Sequence, residues 1–213
     1  MAYCASNKQQ AVQVRVSLMS QITTPSQKEV EAYLAKWDSL ENYVLQESSL
    51  KKLFTQTYPL NVDMDDVLIK VCSLNDFYST NIFSPFIVAR HIVALKIDRR
   101  LAARDFSLVN DIAVVQMSNK KTRNFYSFAT KYCSHHLPED YPIYDSFVEK
   151  MLMYLKRKDK FCAFKKDDLK DYPTYREILI RFRDYYGLGD FTLKQIDKYL
   201  WQAGKKYFPK RYG

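Results

Sequence analysis

From residue 24 onward apolar side chains recur every three or four positions, a period that predicts a succession of helices. Val30, Tyr33, Leu34, Trp37, Leu40 and Val44 share one face of a long amphipathic helix, opened by the capping chemistry of Thr24, Pro25 and Ser26. Ser48 and Ser49 offer a restart, after which Leu50, Leu53 and Phe54 continue the face to Tyr58-Pro59. Asp63 is placed to cap a helix that begins with Asp65 and Asp66, turns Leu68, Val71 and Cys72 inward and ends near Asn75. The tract 74–82 mixes turn formers with aromatics, and its polar side chains are expected to cap the neighbouring helices.

Ser84-Pro85 opens a helix to about Lys96, and residues 107–117 read as a further short one. Helices are expected over 123–136 and 144–158, separated by a loop with Pro138 and Pro142. Tyr172-Pro173 introduces another, stopped by Gly187 and Gly189, and Thr192 caps the last, which reaches about Tyr207. Residues 1–23 break the pattern: Val12, Val14, Val16 and Leu18 alternate, as in a strand or in an extended arm lying on the helices.

These elements amount to an all-α protein, with an arm over 1–23 and one compact multi-helix domain over 24–213. Four Gly and seven Pro are too few to punctuate a chain of short strands. Apolar runs such as 92–95 and 178–180 are far too short to span a bilayer, and no basic-then-apolar leader opens the chain, so a cytoplasmic protein that engages no membrane is expected. Cys4, Cys72, Cys133 and Cys162 stand apart with no CxxC pair, which signals buried thiols rather than zinc or an iron–sulfur cluster. His91, flanked by Ala89, Ile92 and Val93, reads as a hydrogen-bonded structural residue. No metal or cofactor is signalled.

Charge adds an asymmetry that hydropathy does not show. Residues 1–118 hold 12 Lys+Arg against 12 Asp+Glu, whereas residues 119–213 hold 21 against 12 and so carry the whole net charge of +9. A polyanion is the natural partner for that half. Basic clusters at 156–160 and 165–166 adjoin Phe161 and Phe164, an interleaving that suits a phosphate backbone or a solvated helix end equally. Trp201 is expected to bury its ring in the core, and Gly204-Lys205-Lys206 lacks the spacing of a phosphate-binding loop.

The segment 123–148 is the one that suggests chemistry. Lys131, late in one helix, is followed after the proline-bounded loop by Asp145 at the mouth of the next, where free backbone N–H groups and the helix dipole would hold a carboxylate ionised. The run Ile143-Tyr144-Asp145-Ser146-Phe147-Val148, reached from a helix through a short loop, resembles the helix-hairpin-helix DNA glycosylase superfamily. That resemblance implies a DNA-repair role, with Asp145 facing a sugar of oxocarbenium character while a base is flipped from the stack.

Alignment on Asp145 puts Ser127 near the place of the family's Schiff-base lysine, with Lys131 one helical turn further on as amine nucleophile or phosphate clamp. The stretch 116–124 has no glycine where the family carries Gly-x-Gly, so Lys120, Lys121 and Arg123 would supply the phosphate contacts. His135 and His136 are candidates for phosphate contact or proton shuttling, and Tyr126 and Tyr144 for stacking on bases. DNA is expected ahead of RNA. Two alternatives stay open: a non-catalytic DNA- or RNA-binding protein of the same fold, and a helical module whose basic face meets an acidic protein. A purely structural role for the pair also stays open, Asp145 capping its helix and Lys131 pairing with Glu139, Asp140 or Asp145.

Overall fold

A computed structural model describes residues 22–209, so the alternating arm of residues 1–21 lies outside the described part. The chain is helical almost throughout: ten α-helices, short 3-10 and π turns, and a two-stranded hairpin make up the described residues. The expected first helix is two, α1 (Gln27–Asp38) and α2 (Glu41–Lys52), because Ser39 closes α1 with its hydroxyl on the Lys36 carbonyl, 2.7 Å away. Ser26 caps α1 as expected, accepting from the Glu29 N–H. Ser48 and Ser49 lie inside α2 without restarting it, and the chain runs on through a π turn, Leu53–Thr57.

Helix α3 (Met64–Tyr78) outlasts its expected end by three residues. Val67, Lys70, Val71 and Leu74 form its inner face, at the i, i+3, i+4, i+7 spacing, which leaves Cys72 exposed rather than inward. Asn75 acts as a cap: its Oδ1 accepts from the Thr80 hydroxyl (2.8 Å) and the Ile82 N–H (2.9 Å) and so fixes the following loop. Helices α4 (Pro85–Ala94), α5 (Ile97–Ala102) and α6 (Leu108–Ala113) follow. In α4, His91 hydrogen-bonds the Asp111 carbonyl.

Helix α6 stops four residues short of the expected end, and β1 (Val114–Gln116) pairs antiparallel with β2 (Thr122–Asn124). The hairpin turn places Lys120 at φ 61°. It therefore displaces the first turn of the helix expected from residue 123, which begins instead as α7 (Tyr126–His136). Helices α8 (Ser146–Asp159), α9 (Tyr172–Tyr185) and α10 (Leu193–Tyr207) complete the domain, α10 behind a full capping box of Thr192 and Gln195.

One core runs through these helices, with α7 at its centre, nine of its residues buried. Helix α10 packs along α8 on one side and α1 on another. The α8–α10 seam is so close that a Cβ at Gly204 would lie 2.5 Å from the Phe147 carbonyl oxygen. Beneath α3 sits a buried polar knot. Lys70 donates to the carbonyls of Tyr58 (3.0 Å) and Leu60 (2.8 Å) and to Asn61 Oδ1 (2.7 Å). That same Oδ1 accepts from the Tyr132 hydroxyl (2.6 Å) and lies 3.2 Å from His136 Nε2. Three donors on one amide oxygen satisfy groups that burial would otherwise penalise.

Candidate functional site

The site is built on the loop between α7 and α8. Side chains on an α-helix lean toward its N-terminus, so Lys131 reaches back one turn: Nζ donates to Ser127 Oγ at 2.6 Å and approaches the Ser127 carbonyl at 3.3 Å. The amine thus stands at the Ser127 hydroxyl, 5.2 Å from the centre of the Tyr78 ring. Ser127 Oγ in turn donates to the Tyr144 carbonyl (3.2 Å), and Thr130 Oγ1 accepts the Tyr144 N–H (3.2 Å). Lysine and loop are therefore tied to the same turn of α7.

Asp145 is the N-cap of α8, in extended conformation, with Oδ1 accepting the Phe147 N–H at 2.8 Å. The residues before it are gripped from behind. The Tyr172 hydroxyl donates to the Pro142 carbonyl (2.8 Å), the Tyr175 hydroxyl to the Ile143 carbonyl (2.7 Å), and the Ile143 N–H to Asp197 Oδ2 (2.9 Å). Such bonding presets the loop before any ligand arrives.

Lys131 and Asp145 line one cavity of about 240 Å³. Its apolar walls are Trp37, Tyr43, Phe77, Tyr78, Phe147 and Trp201, contributed by α1, α2, α3, α8 and α10. At about 30 Å³ per water this is room for about eight waters. Glu47, Lys194, Asp197 and Lys198 add charge to the same walls. Lysines accompany the rings: Lys198 lies 4.9 Å from the Trp37 centroid, Lys205 4.9 Å from Trp201 and 5.0 Å from Tyr43, and Lys150 5.4 Å from Phe147.

The remaining sequence candidates fall elsewhere. Lys120, Lys121 and Arg123 are exposed on the hairpin and do not line the cavity. Tyr126 and Tyr144 are buried edge to face, ring centres 5.0 Å apart, with Lys170 over Tyr144 at 3.9 Å, so neither ring is open to a base. His135 lies behind the cavity wall, its Nε2 3.0 Å from the Tyr78 hydroxyl, and His136 belongs to the Asn61 knot. Trp201, expected in the core, is half-buried and faces the cavity. No set of three or more His, Cys, Asp or Glu among the described residues is placed to hold a metal ion, and no described helix is long and apolar enough to cross a membrane.

Burial, reinforced by nearby cations, pushes both imidazoles down from 6.5 to about 3, while burial pushes the Asp197 carboxyl up from 3.8 to about 6 against the pull of Lys194. Between about pH 6 and 4 the unfolded chain therefore holds two histidine protons that the folded protein lacks, and the folded protein holds one aspartate proton that the unfolded chain lacks. The net excess of one proton on the unfolded side makes stability fall as pH drops, by about 1.4 kcal/mol per pH unit from these three groups. Urea unfolding at a series of pH values checks this, and a flat profile would mean that the imidazoles are not held neutral inside.

A family model described as HI_0787_N, an N-terminal domain, matches residues 29–140, which include Lys131 and end before Asp145. An uncharacterised protein of Haemophilus influenzae (strain ATCC 51907 / DSM 11121 / KW20 / Rd) is 47% identical over 148 residues, 69% of this chain and 70% of that protein. No solved structure matches the chain significantly.

Proposed function

The chain belongs to the HI_0787_N family, and we propose that it is a nucleic-acid-binding protein of base-excision type that draws a flipped base into the aromatic cavity and cleaves its N-glycosidic bond. The observation that carries this reading is the convergence of the Lys131 amine and the Asp145 carboxylate on one cavity with ring-lined walls. Aromatic faces give an extruded base a stacking partner to replace its neighbours in the helix. Asp145, held at a helix N-terminus, stabilises positive charge on the sugar. Lys131 offers the nucleophile for C1′, and Lys150 and Lys205, beside the Phe147 and Trp201 rings, would meet flanking phosphates.

The test is a cleavage and borohydride-trapping screen on duplexes carrying hypoxanthine, 8-oxoguanine, uracil or an abasic site, with wild type and Asp145→Asn. Wild type is expected to release at least one base. Asp145→Asn, which can still cap α8, is expected to slow release about 100-fold or more with little change in melting temperature. Binding that weakens steeply with salt, without cleavage and unchanged in Asp145→Asn, would favour the binder instead; the Asp145 bond to the Phe147 N–H is the observation on that side.

A further inference from the structure

Resting on that reading, we propose that Asp197 is the acid of the site, passing a proton to ring nitrogen N3 or N7 of the departing base, and that purines are accordingly the substrate class.

Two carboxyls line the cavity in opposed settings. Asp145 is the N-cap of α8, its Oδ1 accepting the Phe147 N–H. Asp197 sits mid-helix in α10, 4% exposed, with Oδ2 on the Ile143 N–H at 2.9 Å and 3.8 Å from Lys194 Nζ. Its Oδ1 makes no hydrogen bond among the described residues. The side chain is thus pinned through one oxygen on a wall it shares with Lys131 and the aromatic faces.

The charged groups around Asp197 come from each element packed on it. Lys194 and Lys198 of its own helix favour the carboxylate, and Glu47 of α2 opposes it. Lys131 of α7 and Asp145 share the cavity. Tyr78, Tyr172 and Tyr175 are phenols whose ionisation burial suppresses, so they bring no charge. Burial leads this balance and raises the carboxyl to about 6, within range of a working acid near neutral pH. A helix-capping carboxyl and a buried, protonatable one thus divide the labour of glycosidic cleavage between them.

The step balances as follows. The C1′–N9 bond breaks with its electron pair going to the base, and the Asp197 proton moves to N3 or N7 (N3 in 8-oxoguanine, whose N7 already carries hydrogen), so the purine leaves neutral. Lys131 attacks as the free amine, its ammonium proton having first gone to solvent; its lone pair forms the new bond to C1′, and the resulting substituted ammonium returns a proton through solvent to the Asp197 carboxylate. A purine offers ring nitrogens near the breaking bond, and a cavity of about 240 Å³ has the volume for a fused ring.

The experiment measures single-turnover release, from pH 5 to 8, of hypoxanthine or 8-oxoguanine, whichever the panel shows released, together with its 3-deaza and 7-deaza analogues. Wild type is expected to speed up toward acid pH with a midpoint near 6. Asp197→Asn, which keeps an acceptor for the Ile143 N–H, is expected to be about 100-fold slower and flat with pH. On the analogue lacking the protonated nitrogen, wild type falls to the rate of Asp197→Asn; a misfolded variant would stay slower than wild type there too. Asp197→Glu recovers part of the acid limb. A wild-type rate and acid limb in Asp197→Asn overturn the assignment, as does release of uracil with no purine. Release of no base by wild type overturns the parent reading and this one together.

Discussion

Lys131→Ala is expected to abolish the borohydride-trapped adduct on an abasic-site duplex, and Lys131→Arg is expected not to restore it. A guanidinium has no lone pair to offer C1′, whereas it would restore a phosphate clamp, so the arginine variant separates nucleophile from clamp. Melting temperature is the control for the alanine change: the amine bonds Ser127 of its own helix, and the cavity can admit water in its place. Melting within a few degrees of wild type with no adduct is the outcome that supports the proposal. A trapped adduct in Lys131→Ala would remove Lys131 from the chemistry.

Lys70→Met is expected to give the largest loss of stability. The ammonium is wholly buried, satisfies two carbonyls and Asn61 Oδ1, and lies 5.6 and 5.8 Å from the Phe54 and Tyr132 ring centres. Methionine fills much of the volume but leaves the Tyr58 and Leu60 carbonyls without a donor, a loss of about 3 kcal/mol. For a domain of this size that corresponds to a fall of about 6 to 12 °C in Tm. Differential scanning calorimetry checks it, and a shift below about 2 °C would mean that water or a rearranged side chain serves those carbonyls.

Much of the fold was legible because local chemistry and tertiary packing agreed. Ser26, Thr192 and Gly187 punctuate helices where the sequence places them, and Pro138 with Pro142 limits the loop that brings Asp145 back toward Lys131. The hairpin was not legible, since its turn sets Lys120 at positive φ, where glycine or asparagine is the usual signal. Cys72, expected inward, faces out because the helical face follows Val67, Lys70 and Leu74, and the buried Lys70 amine finds its acceptors in the segment before the helix. His135 and His136 looked accessible beside a polar loop, yet α7 is enclosed on all sides. The aromatic walls lay beyond local reading: Trp37 and Trp201 meet at 5.8 Å from opposite ends of the chain. Asp197 showed only an i,i+3 spacing to Lys194, and its cavity position depends on a loop more than fifty residues away.

Gly204 gives the cavity a property that its lining residues cannot change. With a Cβ there placed 2.5 Å from the Phe147 carbonyl, the spacing of α8 and α10 is set by main chain against main chain. Phe147 and Trp201, one on each helix, inherit their separation from that contact. Substituting wall residues can make the cavity deeper, shallower or more polar, but the distance between its α8 and α10 walls stays a constant of the scaffold. Any redesign of ligand preference therefore has to work through the walls supplied by α1, α2 and α3, since the distance between α8 and α10 is not open to it.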